Sequence, residues 1–142
     1  MYGEILNVIF IDGPGGTGKT TVYETVNHFL RGLNKKVENM AFAGIAATLL
    51  PFGRTLHNRF GLPVPIFSNS NSSVNRNTKD WTELSDTKVF IIDEGSMVPK
   101  HVLKIIHNLL RQISNNEMIF GGKIFLLGGD FRQILPIQQH AT

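Results

Sequence analysis

Apolar residues fall into short unbroken runs, separated by longer stretches of helical spacing. The run Asn7-Val8-Ile9-Phe10-Ile11 stops at Asp12-Gly13-Pro14-Gly15-Gly16. That predicts a buried strand followed by a tight glycine loop. Val22, Val26, Phe29, Leu30 and Leu33 recur at helical spacing, which predicts a helix from Gly18 to about Leu33, ending near Gly32 and Asn34. Val37 to Ala43 reads as a second strand, and Ile45 to Leu50 as a small-residue helix stopped by Pro51. Val89-Phe90-Ile91-Ile92 is the clearest strand, a run of the kind buried on both faces of a parallel sheet. Val102, Ile105, Ile106, Leu109, Leu110 and Ile113 follow as the core stripe of a helix. Ile124-Phe125-Leu126-Leu127 is a further buried strand, ended by Gly128-Gly129. Strands alternating with helices predict an α/β fold, a mostly parallel central sheet flanked by helices. Residues 66–80 break the pattern with Ser68, Ser70, Ser72 and Ser73 among Asn69, Asn71, Asn75 and Asn77. With almost nothing to bury, this stretch is expected to be a flexible insertion within the domain.

Composition narrows the class. A length of 142 residues corresponds to about one domain of roughly 150. The 42% hydrophobic and 18% charged residues suit one packed core and exclude a disordered chain. The net charge of +3 permits a polyanionic partner without demanding one. The absence of cysteine rules out disulfides, thiolate zinc sites and cysteine nucleophiles. No run approaches the roughly 20 apolar residues of a membrane span, and Ile5 to Ile11 lacks the basic flank of a signal peptide.

The chemistry concentrates in three places. Gly13-Pro14-Gly15-Gly16-Thr17-Gly18-Lys19-Thr20 fits G-x-x-x-x-G-K-[ST] in full, between a strand and a helix. Its glycines let backbone N–H groups turn inward around phosphate oxygens, and the helix start adds attraction for the anion. Lys19 is placed to reach the β and γ phosphates, and the Thr20 hydroxyl to ligate Mg²⁺. Asp93 and Glu94 follow the clearest strand, at the end where ligands sit in parallel sheets. Asp93 would hold Mg²⁺, and Glu94 would orient or deprotonate an attacking water. After the last strand, Gln133 is a candidate partner for the γ-phosphate or the attacking water, with Asp130 and Arg132 as links to the acidic pair or to a neighbouring lobe.

Other polar and aromatic residues carry weaker signals. None of His28, His57, His101, His107 and His140 pair at i, i+4 spacing, and His101 and His107 read as the solvated face of a helix. Trp81 suits a core cap better than a base-stacking platform. Phe52, Phe60 and Phe67, near Arg54, Arg59 and Arg76, fit either single-stranded nucleic acid or an ordinary hydrophobic cover.

Five segments in order carry a family likeness: Val8 to Thr20, Ala43 to Ala47, Gly53-Arg54-Thr55-Leu56-His57, Ile92-Asp93-Glu94-Gly95-Ser96-Met97, and Gly128-Gly129-Asp130-Phe131-Arg132-Gln133-Ile134-Leu135-Pro136. Together they resemble the first RecA-like lobe of PIF-family (petite integration frequency) DNA helicases of superfamily one, with a third motif like that of the Helitron-type branch. The resemblance implies a P-loop NTPase lobe and ATP-driven, five-prime to three-prime DNA unwinding in repair, recombination and telomere maintenance. It implies ATP and Mg²⁺ as cofactors and single-stranded or forked DNA as partner, with the nucleus or mitochondrion as compartment. Residue by residue, it supports Gly13 to Thr20 as the phosphate loop, Lys19, Glu94 and Gln133 as catalytic groups, and Thr20 and Asp93 at the metal. It also implies that Gly44, Thr55 and His57 approach DNA. Ala43 stands where the family often has a phosphate-bonding Ser or Thr, and Gly95 where it usually has a larger residue. The family's catalytic unit has two lobes, so residues 1–142 are expected to be one incomplete unit. On that expectation the second lobe and its arginines are missing, as in a fragment or a decayed copy. The rival readings are a P-loop ATPase or kinase with no nucleic-acid role, and a catalytically dead helicase remnant.

Overall fold

The computed structural model describes residues 7–13, 18–42, 54–63, 65–67 and 69–130. In chain order these give β1 (Val8–Asp12), α1 (Lys19–Gly32), β2 (Val37–Ala41), β3 (Arg54–Thr55), α2 (Leu56–Phe60), α3 (Lys79–Asp86), β4 (Val89–Asp93), α4 (Lys100–Ser114) and β5 (Ile124–Gly129), with short 3-10 turns at Gly95–Met97 and Ile119–Gly122. The strands form one parallel sheet in the order β1-β5-β4-β2-β3. Two apolar clusters sandwich it. On one face Met40, Phe90, Ile92, Phe125 and Leu127 pack with α2, α3 and α4. On the other, Val37, Ala41, Ile91 and Leu126 pack with Tyr23, Val26 and Leu30 of α1. Alternate residues of each run therefore serve opposite faces, which is why β4 and β5 read as continuous apolar sequence.

A parallel register aligns the strand ends that matter. Asp12 pairs with Gly129, Ala41 with Asp93, and Ala41 with Thr55. The residues that follow β1, β4 and β5 therefore open onto the same edge of the sheet, where open α/β folds place their ligands.

Three expectations are corrected. β1 pairs with β5 alone among the described strands, so it lies at a sheet edge rather than inside, and Ile9 and Phe10 are 48% and 62% exposed. The stretch at 66–80 is not without buried groups. Val74 enters the core and Ile66 packs against it, while Ser72 Oγ donates to the Phe60 carbonyl. Its end is the start of α3, whose Thr78 cap accepts from Trp81 N at 3.2 Å; polar composition masked a helix start. His107 is not on a solvated face: its Nδ1 accepts from Phe120 N at 2.9 Å, and its ring meets Phe120 edge-on. The helix expected at Ile45 to Leu50 lies outside the described residues.

Candidate nucleotide-binding site

The site grows from the two ends of the glycine loop. Gly13 N donates to Gly129 O at 3.1 Å, which fastens the loop's first residue to the end of β5. At its other end Gly18 caps α1, and the start of a helix favours an anion. The Lys19 ammonium donates to Gly13 O at 2.7 Å and so ties one end of the loop to the other. Thr20 lies exposed in the first turn of α1. Pro14, Gly15, Gly16 and Thr17 lie outside the described residues, as do Gly44 and Gln133.

The acidic pair terminates β4. Asp93 ends the strand, and Glu94 takes a left-handed backbone, φ +58°, turning the chain into the 3-10 turn. A bulky residue in that region is held there by its surroundings, a conformation enriched at active sites. Gly95 is buried behind it, and a Cβ there would lie 3.2 Å from Leu127 Cβ. The close packing leaves little room for the larger residue the family usually has.

Sequence reasoning missed Tyr23. This side chain is fully buried, and its hydroxyl donates to Asp93 Oδ1 at 2.9 Å. Burial first, then the hydrogen bond and the charge of Asp93, raise its pKa far above the ordinary tyrosine value, so the hydroxyl stays a donor. The available signal was a phenol one helical turn past Lys19, in line with Val26 and Leu30.

Two of the candidate DNA contacts, Thr55 and His57, are among the described residues. Thr55 caps α2, its Oγ1 accepting from Asn58 N at 3.2 Å, and its register with Ala41 puts it near the Asp93 end of the sheet. His57 follows on α2, its ring centroid 6.1 Å from that of Phe42. Arg59 and Phe60 are buried, which removes both from any nucleic-acid face. Arg59 was also missed as a structural residue; its three carboxylate partners, Glu38, Asp80 and Glu83, are distant in sequence. Trp81 packs against the core, with the Arg76 guanidinium 5.5 Å above its ring.

The chemistry of the donor set fits magnesium. A Thr20 hydroxyl and an Asp93 carboxylate are hard oxygen ligands. Mg²⁺ usually takes one or two protein oxygens and completes its shell with phosphate and water. Among the described residues no group of three or more His, Asp or Glu forms a metal cage.

A parallel sheet with a glycine loop and helix after its edge strand, and an acidic pair after β4, defines a P-loop NTPase lobe of RecA-like type. A family model described as PIF1-like helicase matches residues 2–142, and the chain belongs to that family. It is 35% identical over 132 residues to the ATP-dependent DNA helicase PIF1 of Candida albicans, covering 91% of this chain and 14% of that protein. It is 33% identical over 131 residues to the ATP-dependent DNA helicase Pif1 of Psychrobacter sp., covering 91% of this chain and 20% of that one. The Bacteroides Pif1 helicase solved in complex with ADP-AlF3 and single-stranded DNA superposes with a TM-score of 0.75 at 29% identity, over 95% of this chain and 33% of that one. The chain thus spans about a fifth or less of these curated relatives. Among the described residues no helix is long and apolar enough to cross a membrane.

Proposed function

We propose that this chain is the nucleotide-binding lobe of an ATP-dependent DNA helicase that moves five-prime to three-prime on single-stranded or forked DNA. The observation that carries this reading is the common strand edge shared by Gly13, Asp93 and Glu94, with Lys19 bonded back to Gly13. The first-turn N–H groups of α1 hold the phosphate tail, and Lys19 exchanges its bond to the Gly13 carbonyl for β and γ oxygens. Thr20 and Asp93 hold Mg²⁺, which when bound neutralises charge on the β and γ phosphates. The left-handed turn at Glu94 sets its carboxylate past the strand end to orient water and take its proton. Gln133 reports the γ-phosphate to the rest of the lobe. Gly44, Thr55 and His57 meet the DNA backbone. The same reading carries repair, recombination and telomere maintenance as the work, in the nucleus or mitochondrion.

The domain reading is that residues 1–142 are one lobe. An arginine supplied across the cleft by a second lobe is worth roughly 10³-fold or more in phosphoryl transfer. The chain alone is therefore expected to bind ATP and turn it over slowly. The test is titration of a fluorescent ATP analogue with Mg²⁺ into the parent and Lys19→Ala. At least tenfold weaker binding by the variant is expected, and equal binding sinks the phosphate-loop assignment. In a form carrying both lobes, an ATPase rate that ignores single-stranded DNA would favour an ATPase without a nucleic-acid role.

A further inference from the structure

We propose that Tyr23 is a positioning residue for the Asp93 carboxylate, holding it toward the metal from the helix that carries Lys19 and Thr20. This role rests on the nucleotide-site reading and extends it to a residue outside the phosphate loop and the acidic pair. Lys19 and Thr20 precede Tyr23 by four and three residues, so all three share one face of α1. The hydroxyl reaches Asp93 Oδ1 at 2.9 Å, a bond strengthened by the charge of its acceptor. It occupies one carboxylate oxygen and fixes the rotation of the group, leaving the other for the shell of the cation.

Two independent features hold the hydroxyl in place. Gly128, at the end of β5, supplies the space, since a Cβ there would lie 1.6 Å from the Tyr23 hydroxyl. One turn further along α1, Asn27 is locked to β2. Its amide exchanges two 2.8 Å hydrogen bonds with the amide of Asn39, and its Nδ2 also donates to Tyr23 O at 2.8 Å. The helix is therefore pinned to two neighbouring strands, β4 through Tyr23 and β2 through Asn27. Groups that orient a metal's ligand typically change metal affinity by roughly 10–100-fold when removed.

The test is nucleotide binding by the chain as Mg²⁺ is titrated, and again in EDTA, for the parent, Tyr23→Phe, Asp93→Asn and the double variant. Tyr23→Phe keeps the ring and its packing and loses only the hydroxyl. The Mg²⁺ concentration for half-maximal effect is expected to rise about tenfold. Affinity in EDTA, set by the phosphate loop, should follow the parent. In the Asp93→Asn background the same change should have no further effect, because the hydroxyl acts through that carboxylate. Tyr23→Met, which also removes the hydroxyl and leaves Gly128 unchanged, should reproduce the defect and serves if Tyr23→Phe does not fold. A Tyr23→Phe half-point within twofold of the parent overturns this inference alone. A parent that binds no nucleotide overturns it together with the reading beneath it.

Discussion

Arg59 offers the sharpest check on how the lobe is held together. Its side chain is 1% exposed, with Nη1 at 3.1 Å from Glu38 and 3.0 Å from Glu83, and Nη2 at 3.1 Å from Asp80. The three carboxylates come from β2 and α3, so one cation on α2 joins three elements. The partners are unequal: Glu38 is 13% exposed, whereas Asp80 is 53% exposed. In Arg59→Ala, Asp80 and Glu83 regain water and lose about 1 kcal/mol or less each. Glu38 is left with its charge largely buried, and stranding such a charge costs roughly 3–5 kcal/mol. Taking ~3 kcal/mol for the whole and an unfolding entropy of about 2.1 cal/mol/K per residue, the melting midpoint falls by about 10 °C. Calorimetry at pH 7 measures this. Adding Glu38→Gln to Arg59→Ala should recover a large part of the loss, although Glu38→Gln alone destabilises the parent. A fall under about 3 °C, or no recovery in the double variant, would refute the placement of the cost on Glu38. Glu83 supplies a pH signature, because hydrogen bonding to Arg59 holds its carboxyl below the usual 4.5. A depressed carboxyl stabilises the fold above its unfolded value, and that share is lost as pH falls through the lower folded value. The acid limb below pH 4.5 should therefore be flatter in Arg59→Ala.

Burial, then the charge of Arg111, holds His107 below its usual 6.5; the unfolded chain takes up a proton first, so stability falls as pH drops below 6.5. Urea midpoints at pH 7 and 5.5 should show a smaller drop in His107→Gln, and an identical drop would contradict the assignment. Gly121 has φ +64° and a Cβ there would lie 2.3 Å from the Leu110 carbonyl oxygen, whereas at Gly122, φ +80°, the nearest atom would be the flexible Met118 sulfur at 3.3 Å. Gly121→Ala should therefore destabilise by about 3 kcal/mol or more, from strain plus overpacking, and Gly122→Ala by about 1–2 from strain alone, as read by denaturant unfolding. Asn39→Leu leaves the buried Asn27 Oδ1 without its partner, with only the Nδ2 bond to Tyr23 O remaining, and should cost about 2 kcal/mol, while the double Leu variant should lie closer to the parent. Equal stability of the single and double variants would show that the amide pair is not the cause.

What was legible in the sequence was what is local. The phosphate loop, the acidic pair after Ile91-Ile92 and the stripe of α4 are each set by neighbours a few residues apart, and turn chemistry and periodicity report those directly. Strand order is not local. Nothing within Val8 to Ile11 shows that β5 inserts between it and β4, so an apolar run read as interior stands at an edge. The partners of Arg59 lie 21 residues before it and 21 and 24 after it, beyond any pattern a window can show. His107 failed for a related reason: helical spacing put it on the polar side of α4, but the turn at Phe120 folds back over that side and lends it a backbone donor. Polar composition was the weakest guide, since one Val74 among serines and asparagines was enough to anchor the stretch into the core.

The double glycine after Ile124 to Leu127 reads in sequence as a strand terminator, yet Gly128 and Gly129 are the last two residues of β5 itself. Their role is close approach. Without a Cβ at 128 the Tyr23 hydroxyl can lie against the strand, and without one at 129 the turn after Glu94 can, since a Cβ there would be 2.9 Å from Ser96 Oγ. One of these contacts comes from the helix that follows the phosphate loop and the other from the segment that follows the acidic pair. A side chain at either position would move α1 or that turn outward and lengthen the gap between Lys19 and Glu94. The spacing of the two halves of the site is therefore set on a third strand, by two side chains that are absent. Chemistry that depends on a lysine and a carboxylate meeting one nucleotide would tolerate little change there, because misplacement of reacting groups by about 1 Å can lower a rate roughly 10²-fold.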